Sequence, residues 1–197
     1  MGSKERILRL KKETKEKILE AAYLIVKEEG WNGLSMRKIA DRIEYTAPII
    51  YEYYSNKEAI LKALTVKGFI CLDGQLAMVQ EKIEDPTEQL ETLWMEFWRF
   101  AFENKELYQV MFGVEISCCR HGLSEAESPR NRFINAIMKV MEDKNPSEDL
   151  VREKYFTFFS VIHGLISVNL VGAGLPSSLN DQILKDAING IIKSISD

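Results

Sequence analysis

The chain of 197 residues is 46% apolar and 28% charged, with a net charge of −4. This is the composition of a globular protein with a sizeable core, and it excludes fibrous, low-complexity or generally basic coat proteins. The charge is uneven: residues 1–62 hold 13 Lys and Arg against 10 Asp and Glu, a surplus of three positive charges, and the remainder is acidic.

Residues 3–17 carry seven Lys and Arg against three Glu, with Ile7 and Leu10 at a weak helical spacing. A solvated, frayed extension and a basic arm reaching DNA phosphates or the minor groove are both open readings. The segment has no apolar run, so no signal peptide is expected. Arg6 stands where a myristoylation motif needs Ser or Thr. Ile18, Ala21, Ala22, Ile25 and Val26 then predict an amphipathic helix that Gly30 ends, with Trp31 as core packing.

From Ser35 to Glu58 the chain reads as helix, turn, helix, turn, helix. Ser35 is an N-cap, with Leu34 and Ile39 at staple spacing and Ile39, Ala40 and Ile43 on one apolar face. Thr46 can cap the second helix, and Pro48 falls in its first turn, where a missing N–H costs nothing. Ser55 and Glu58 have the spacing of a capping box. Such a pair of short helices is either ordinary core or a helix-turn-helix, whose second helix enters the DNA major groove.

The run Leu34-Ser35, Ile39-Ala40, Tyr45-Thr46, Ile50-Tyr51, Tyr54, Lys57-Glu58 resembles the N-terminal signature of the TetR family of transcriptional regulators, over about residues 14 to 62. Glu44 departs from it at the usual turn glycine, as do Ile49, Tyr53 and Tyr54 at their positions. The resemblance implies an all-α fold of about nine helices: a three-helix DNA-binding head, residues 1–56 with the helix-turn-helix at about 35–54, and a ligand-binding and dimerisation body, 57–197. It implies that Ser35, Thr46, Ala47, Pro48, Tyr51, Tyr53 and Lys57 meet DNA. Arg37 and Arg42 are further candidates, with a solvated role equally open. The second helix lacks Arg, Asn and Gln, so direct base readout is modest and DNA shape contributes.

A long helix is expected from Lys57 to about Glu84, with Ile60, Leu61, Leu64, Phe69, Leu72, Leu76 and Val79 inward and Gly68 and Gly74 as possible flexing points. An aromatic helix follows from about Pro86 to Glu103, then a short one from Lys105 to Phe112. Trp94, Phe97, Trp98, Tyr108, Met111 and Phe112, with Phe133, Phe159 and His163 further on, read as core or as the lining of an apolar pocket. The resemblance favours the pocket.

Cys118, Cys119 and His121 lie close in a less regular stretch, but adjacent cysteines chelate poorly and no fourth ligand is evident, so no metal is expected. The odd count of three cysteines points to a reducing, cytoplasmic setting. Helices follow at about Pro129–Glu142, Glu148–Leu170 and Leu179–Ser196. The second of these is apolar nearly all round, so it is buried on every side or membrane-spanning, and Ser160, His163, Ser167 and Asn169 argue against a span. The resemblance implies that the last two long helices form a four-helix bundle in a homodimer, with Phe158, Ile162, Leu184, Ile188, Ile191 and Ile195 as the interface.

With only two histidines, no Gly-rich phosphate loop and no Gly-x-Ser-x-Gly, nothing supports an enzyme or a cofactor. The expected function is a cytoplasmic, dimeric regulator that binds double-stranded operator DNA. It is expected to act as a repressor released by a small apolar or aromatic effector. The alternative is a helical ligand-binding or adaptor protein whose head binds DNA weakly or not at all.

Overall fold

The computed structural model describes residues 3–113, 123–172 and 174–196. Among these are nine α-helices and no strand: α1 (Ser3–Glu29), α2 (Met36–Arg42), α3 (Ala47–Tyr53), α4 (Lys57–Lys82), α5 (Pro86–Glu103), α6 (Lys105–Phe112), α7 (Glu127–Val140), α8 (Glu148–Leu170) and α9 (Ser177–Ser196). The expected all-α fold is the one found. Cys118, Cys119 and His121 lie outside the described residues.

Local chemistry sets most helix ends. Gly30 takes a left-handed φ of 74° just after α1. Ser35 Oγ accepts the Lys38 N–H at 3.3 Å, Asp85 Oδ1 the Glu88 N–H at 2.8 Å, and Ser147 Oγ the Leu150 N–H at 3.2 Å. Two caps differ from expectation. Thr46 precedes α3 without a side-chain cap bond. The first turn of α4 is capped by Asn56, whose Oδ1 accepts the Ala59 N–H at 2.8 Å, rather than by a box of Ser55 and Glu58. Because α4 begins at Lys57, Asn56 holds the cap position and Ser55 lies one residue outside it. Residues 3–17 are helical and continue α1 without a break.

The chain divides into two compact units. The first holds α1 to α3, the start of α4 and α6. Ile18, Ala22, Ile39, Ile50, Ile60 and Leu64 are fully buried there and form its core. Arg42 Nη2 donates to both Glu28 carboxylate oxygens, at 2.8 and 2.6 Å, and Lys38 pairs with Glu29, so two bases of α2 hold the end of α1. Gly68 marks a close approach of α4 to α6. A Cβ there would lie 2.4 Å from Met111 Sδ. A Cβ at Gly74 would meet nothing within 4 Å.

The second unit holds the rest of α4 with α5, α7, α8 and α9. Its core is aromatic. Trp94 is fully buried and stacks on Phe133 at 4.0 Å and on Phe158 at 5.2 Å between ring centres, with Phe97 edge-on at 5.9 Å. Arg132 of α7 grips α4 with a fork: Nε and Nη2 donate to Asp73 Oδ1 and Oδ2 at 2.6 and 3.0 Å, and Nη1 donates to Gln80 Oε1 at 2.7 Å. Ser128 Oγ adds a 2.7 Å bond to Asp73 Oδ1. These donors, the guanidinium foremost, hold the Asp73 carboxyl below its ordinary pKa despite the opposing effect of burial.

Helix α8 is not buried on every side within the chain. Val151, Phe158, Ile162 and Ile166 face the core, whereas Phe156, Val161 and Val168 are exposed. No helix among the described residues is long and apolar enough to cross a membrane.

Candidate functional site

In the first unit, α2 and α3 are short helices joined by a turn at Ile43–Thr46, with their apolar faces turned inward. Glu44 sits in that turn at φ 59°, the left-handed conformation that glycine adopts without strain. Opposite the core, Thr46, Pro48 and Tyr51 are exposed, Tyr51 at 54%. Ala47 and Tyr53 are half-buried beside them. Ser35 is exposed, with its oxygen already accepting the cap bond. Arg37 is exposed and only 4.0 Å from Asp41, a loose surface pair. Lys57 is half-buried and its Nζ donates to the Trp31 carbonyl at 2.7 Å, which ties the start of α4 to the turn that follows α1. Arg42 is committed to Glu28. The outward face of α3 therefore offers hydroxyls and small apolar groups, and no base on α3 itself.

The nine residues expected to line a pocket fall into three places. Trp94, Phe97, Phe133 and Phe159 come together in the second unit, with His163 stacked on Phe159 at 5.2 Å and 7°. Trp94, Phe97 and Phe133 are buried there, and Phe159 and His163 are half-buried. Tyr108 and Met111 are buried and Phe112 half-buried in the first unit, and desolvation pushes the Tyr108 hydroxyl pKa up. Trp98 lies elsewhere on α5, packed on Phe102 at 4.7 Å.

That other face of α5 lines a groove of about 720 Å³ formed with α4 and the start of α9. Met78, Met95, Trp98 and Phe102 supply apolar walls, and Gln75, Lys82, Thr92, Glu96, Arg99 and Asn180 are among its polar ones. Glu96 is only 5% exposed and is paired with Arg99. Gln75 Oε1 is buried with no hydrogen-bond partner. Of these, Trp98 is the pocket candidate the sequence marks, with Phe102 in the same aromatic run. The available signal was Glu96 inside the run Trp94-Met95-Glu96-Phe97-Trp98, an acid placed where both helix faces are apolar. Among the described residues, no cluster of three or more His, Cys, Asp or Glu could hold a metal.

Phe158, Ile162, Leu184, Ile188 and Ile195 are at most 1% exposed within the single chain, and Ile191 is half-buried. They pack inside the second unit, because each of the last two helices carries two apolar faces and the chain's own core takes one. The exposed apolar residues are Phe156, Val161 and Val168 on α8 and Leu179 and Ile183 on α9.

Comparison with known proteins agrees with this geometry. Residues 18–64 match the model of bacterial regulatory proteins of the tetR family, and residues 90–189 match a tetracyclin repressor-like C-terminal domain. The transcriptional repressor KstR of Mycobacterium tuberculosis is 21% identical over 70% of this chain and 63% of its own length. An uncharacterised HTH-type regulator of Haemophilus influenzae is 30% identical over 45% of this chain and 48% of its own. The chain thus spans about half to two-thirds of these curated relatives. Among solved structures, a Rhodococcus protein of unknown function superposes with a TM-score of 0.77 at 18% identity, over 93% of this chain and 95% of that one. The regulator FadR from Bacillus subtilis, solved with stearoyl-CoA, superposes with a TM-score of 0.65 at 18% identity, over 92% and 97%. The chain belongs to the TetR family of bacterial regulatory proteins.

Proposed function

We propose that the chain is a cytoplasmic transcriptional repressor, with residues 1–56 as a DNA-binding head and 57–197 as a ligand-binding and dimerisation body, and with no enzymatic activity. The exposed face of α3, with Thr46, Pro48 and Tyr51 directed away from the head core, carries this reading. Hydroxyls ligate phosphate, and a small proline lets the backbone approach a groove floor. Ser35, Arg37, Ala47, Tyr53 and Lys57 complete the contact set. Lys57 acts partly by fixing the start of α4 through its bond to Trp31.

The effector is a small molecule with a large apolar part, held in the groove beside Trp98 and Phe102. About 720 Å³ lies within the range of ordinary ligand pockets. FadR of Bacillus subtilis, solved with the long-chain thioester stearoyl-CoA, supports an apolar tail. Release from DNA requires the effector to favour a conformation in which paired heads no longer match half-sites roughly 34–36 Å apart. The dimer forms through the outward faces of α8 and α9, which expose Phe156, Val161, Val168, Leu179 and Ile183.

The test is fluorescence anisotropy on duplex DNA from upstream of the coding region, with nonspecific competitor. Thr46→Ala with Tyr51→Ala should weaken specific binding by about 1–3 kcal/mol and leave helicity and dimerisation intact. Wild-type binding no tighter than to random DNA would reassign the chain to a ligand-binding adaptor.

A further inference from the structure

The helix ahead of the family's matched region has no assigned role. The match begins at residue 18, yet α1 begins at Ser3. The added turns hold Lys4, Arg6, Arg9, Lys11, Lys12, Lys15 and Lys17 against three Glu, a surplus of four positive charges on a chain whose net charge is −4. Two of these bases make i,i+4 pairs, Arg9 with Glu13 at 3.5 Å and Lys12 with Glu16 at 3.9 Å. Both pairs are solvent-exposed and so weak.

Of the other five bases, three fall in line, while Arg6 and Lys17 lie on the opposite side. Lys4, Lys11 and Lys15 stand at i, i+7 and i+11, which is one stripe of an α-helix. Continued toward the C-terminus, that stripe becomes Ala22 and Ile18, the face of α1 buried on the head. The side of α1 that packs on the helix-turn-helix is therefore basic where it runs past it. Lys15 fixes the register, since its Nζ lies 5.4 Å from the ring centre of Tyr54, the residue that closes α3. Ile7 and Leu8 flank the stripe at 52% and 68% exposure. From Lys15 to Lys4 the helix rises about 16 Å, the length of roughly five base pairs of a DNA strand.

We infer that the N-terminal turns of α1 form a second DNA-binding element, a helical rail that grips the phosphate backbone beside the α3 site through Lys4, Lys11 and Lys15. The element holds duplex DNA without reading sequence. It supplies the positive charge that α3 lacks, since α3 carries no Lys or Arg. The inference rests on the DNA-binding reading of the head.

The test uses the full-length chain on two duplexes, the upstream DNA and a scrambled sequence, with binding followed by anisotropy across a salt series. The rail variant is Lys4→Gln, Lys11→Gln and Lys15→Gln. The control is Arg6→Gln, Arg9→Gln and Lys12→Gln, which removes equal charge from the other faces. Each lost phosphate contact lowers the slope of log K against log salt by about 0.9. The rail variant should flatten the slope by about 2–3, weaken both duplexes by a common factor of about tenfold or more, and keep the preference between them. The control should change the slope by less than 1. A rail variant with the wild-type slope, or a control with the same loss, overturns the rail while leaving the head's role intact. Wild-type chain that binds neither duplex at low salt overturns both. Vesicles of equimolar phosphatidylserine and phosphatidylcholine form a second arm: binding lost in the rail variant, with DNA slopes unchanged, would assign the stripe to membrane instead. Circular dichroism of both variants should match wild type, because the substituted side chains at positions 4 to 12 are exposed.

Discussion

Glu44 is the residue that most clearly holds a conformation its side chain opposes. It lies at φ 59° in the turn between α2 and α3. A residue with a Cβ loses about 1–2 kcal/mol there relative to glycine, while glycine costs about 0.5–1 kcal/mol in added freedom of the unfolded chain. The first effect is the larger, so Glu44→Gly should stabilise the protein by about 0.5–1 kcal/mol. A urea titration should show a higher midpoint at unchanged slope. A lower midpoint would mean that the Glu44 side chain contributes more than its backbone loses. The departure from the turn glycine was legible in the sequence, and so was its conformational consequence. What the sequence could not tell is that Lys57 and Arg42, both plausible phosphate ligands by charge, are occupied within the head. A single-sequence pattern records a side chain's charge but not its partner across 14 or 26 positions of chain.

At the scale of elements, α5, α6 and α8 begin and end where the sequence puts them, because Asp85-Pro86, Asn104 and Ser147 are strong local punctuation. The turns ahead of residue 18 were not legible as helix. Their apolar spacing is the weak one of Ile7 and Leu10, and the local contacts they add are two exposed i,i+4 pairs and a bond from the Thr14 hydroxyl to the Leu10 carbonyl at 2.9 Å. The Arg132 fork was also invisible, since it joins positions 59 apart. It binds α7 to α4 by four hydrogen bonds from two side chains, with Asp73 and Arg132 each about a quarter exposed. The Asp73 carboxyl is more acidic folded than unfolded. Its contribution is therefore complete above the unfolded value of about 3.9 and is lost as pH falls through the lower, folded value. Asp73→Asn should cost about 1–2 kcal/mol at neutral pH, after allowance for partial exposure. The gap between variant and wild type should then narrow below about pH 4, in urea titrations repeated across pH. A constant gap would mean that the lost stability is packing rather than charge.

For the whole molecule, the proposed dimer decides which surfaces would leave solvent. Helices α8 and α9 have apolar residues on two faces each, and periodicity alone cannot rank them. The chain's own core takes the face of Phe158, Ile162, Leu184 and Ile188, and the face of Phe156, Val168, Leu179 and Ile183 is left outward. Val168→Arg with Ile183→Arg should yield a monomer in sedimentation at micromolar concentration, with helicity retained. The same exchange at Phe158 or Leu184 should unfold the unit instead, since a charge there would be buried without a partner. A double variant that remains a dimer would move the interface off these helices. The fold also distributes its three tryptophans usefully. Trp94 is walled in between Phe133 and Phe158, Trp98 borders the groove, and Trp31 lies in the head unit. Indole emission shifts to shorter wavelength out of water, so the native protein carries its own optical labels: one for the aromatic core, one for groove occupancy and one for the head, each isolable by replacing the other two.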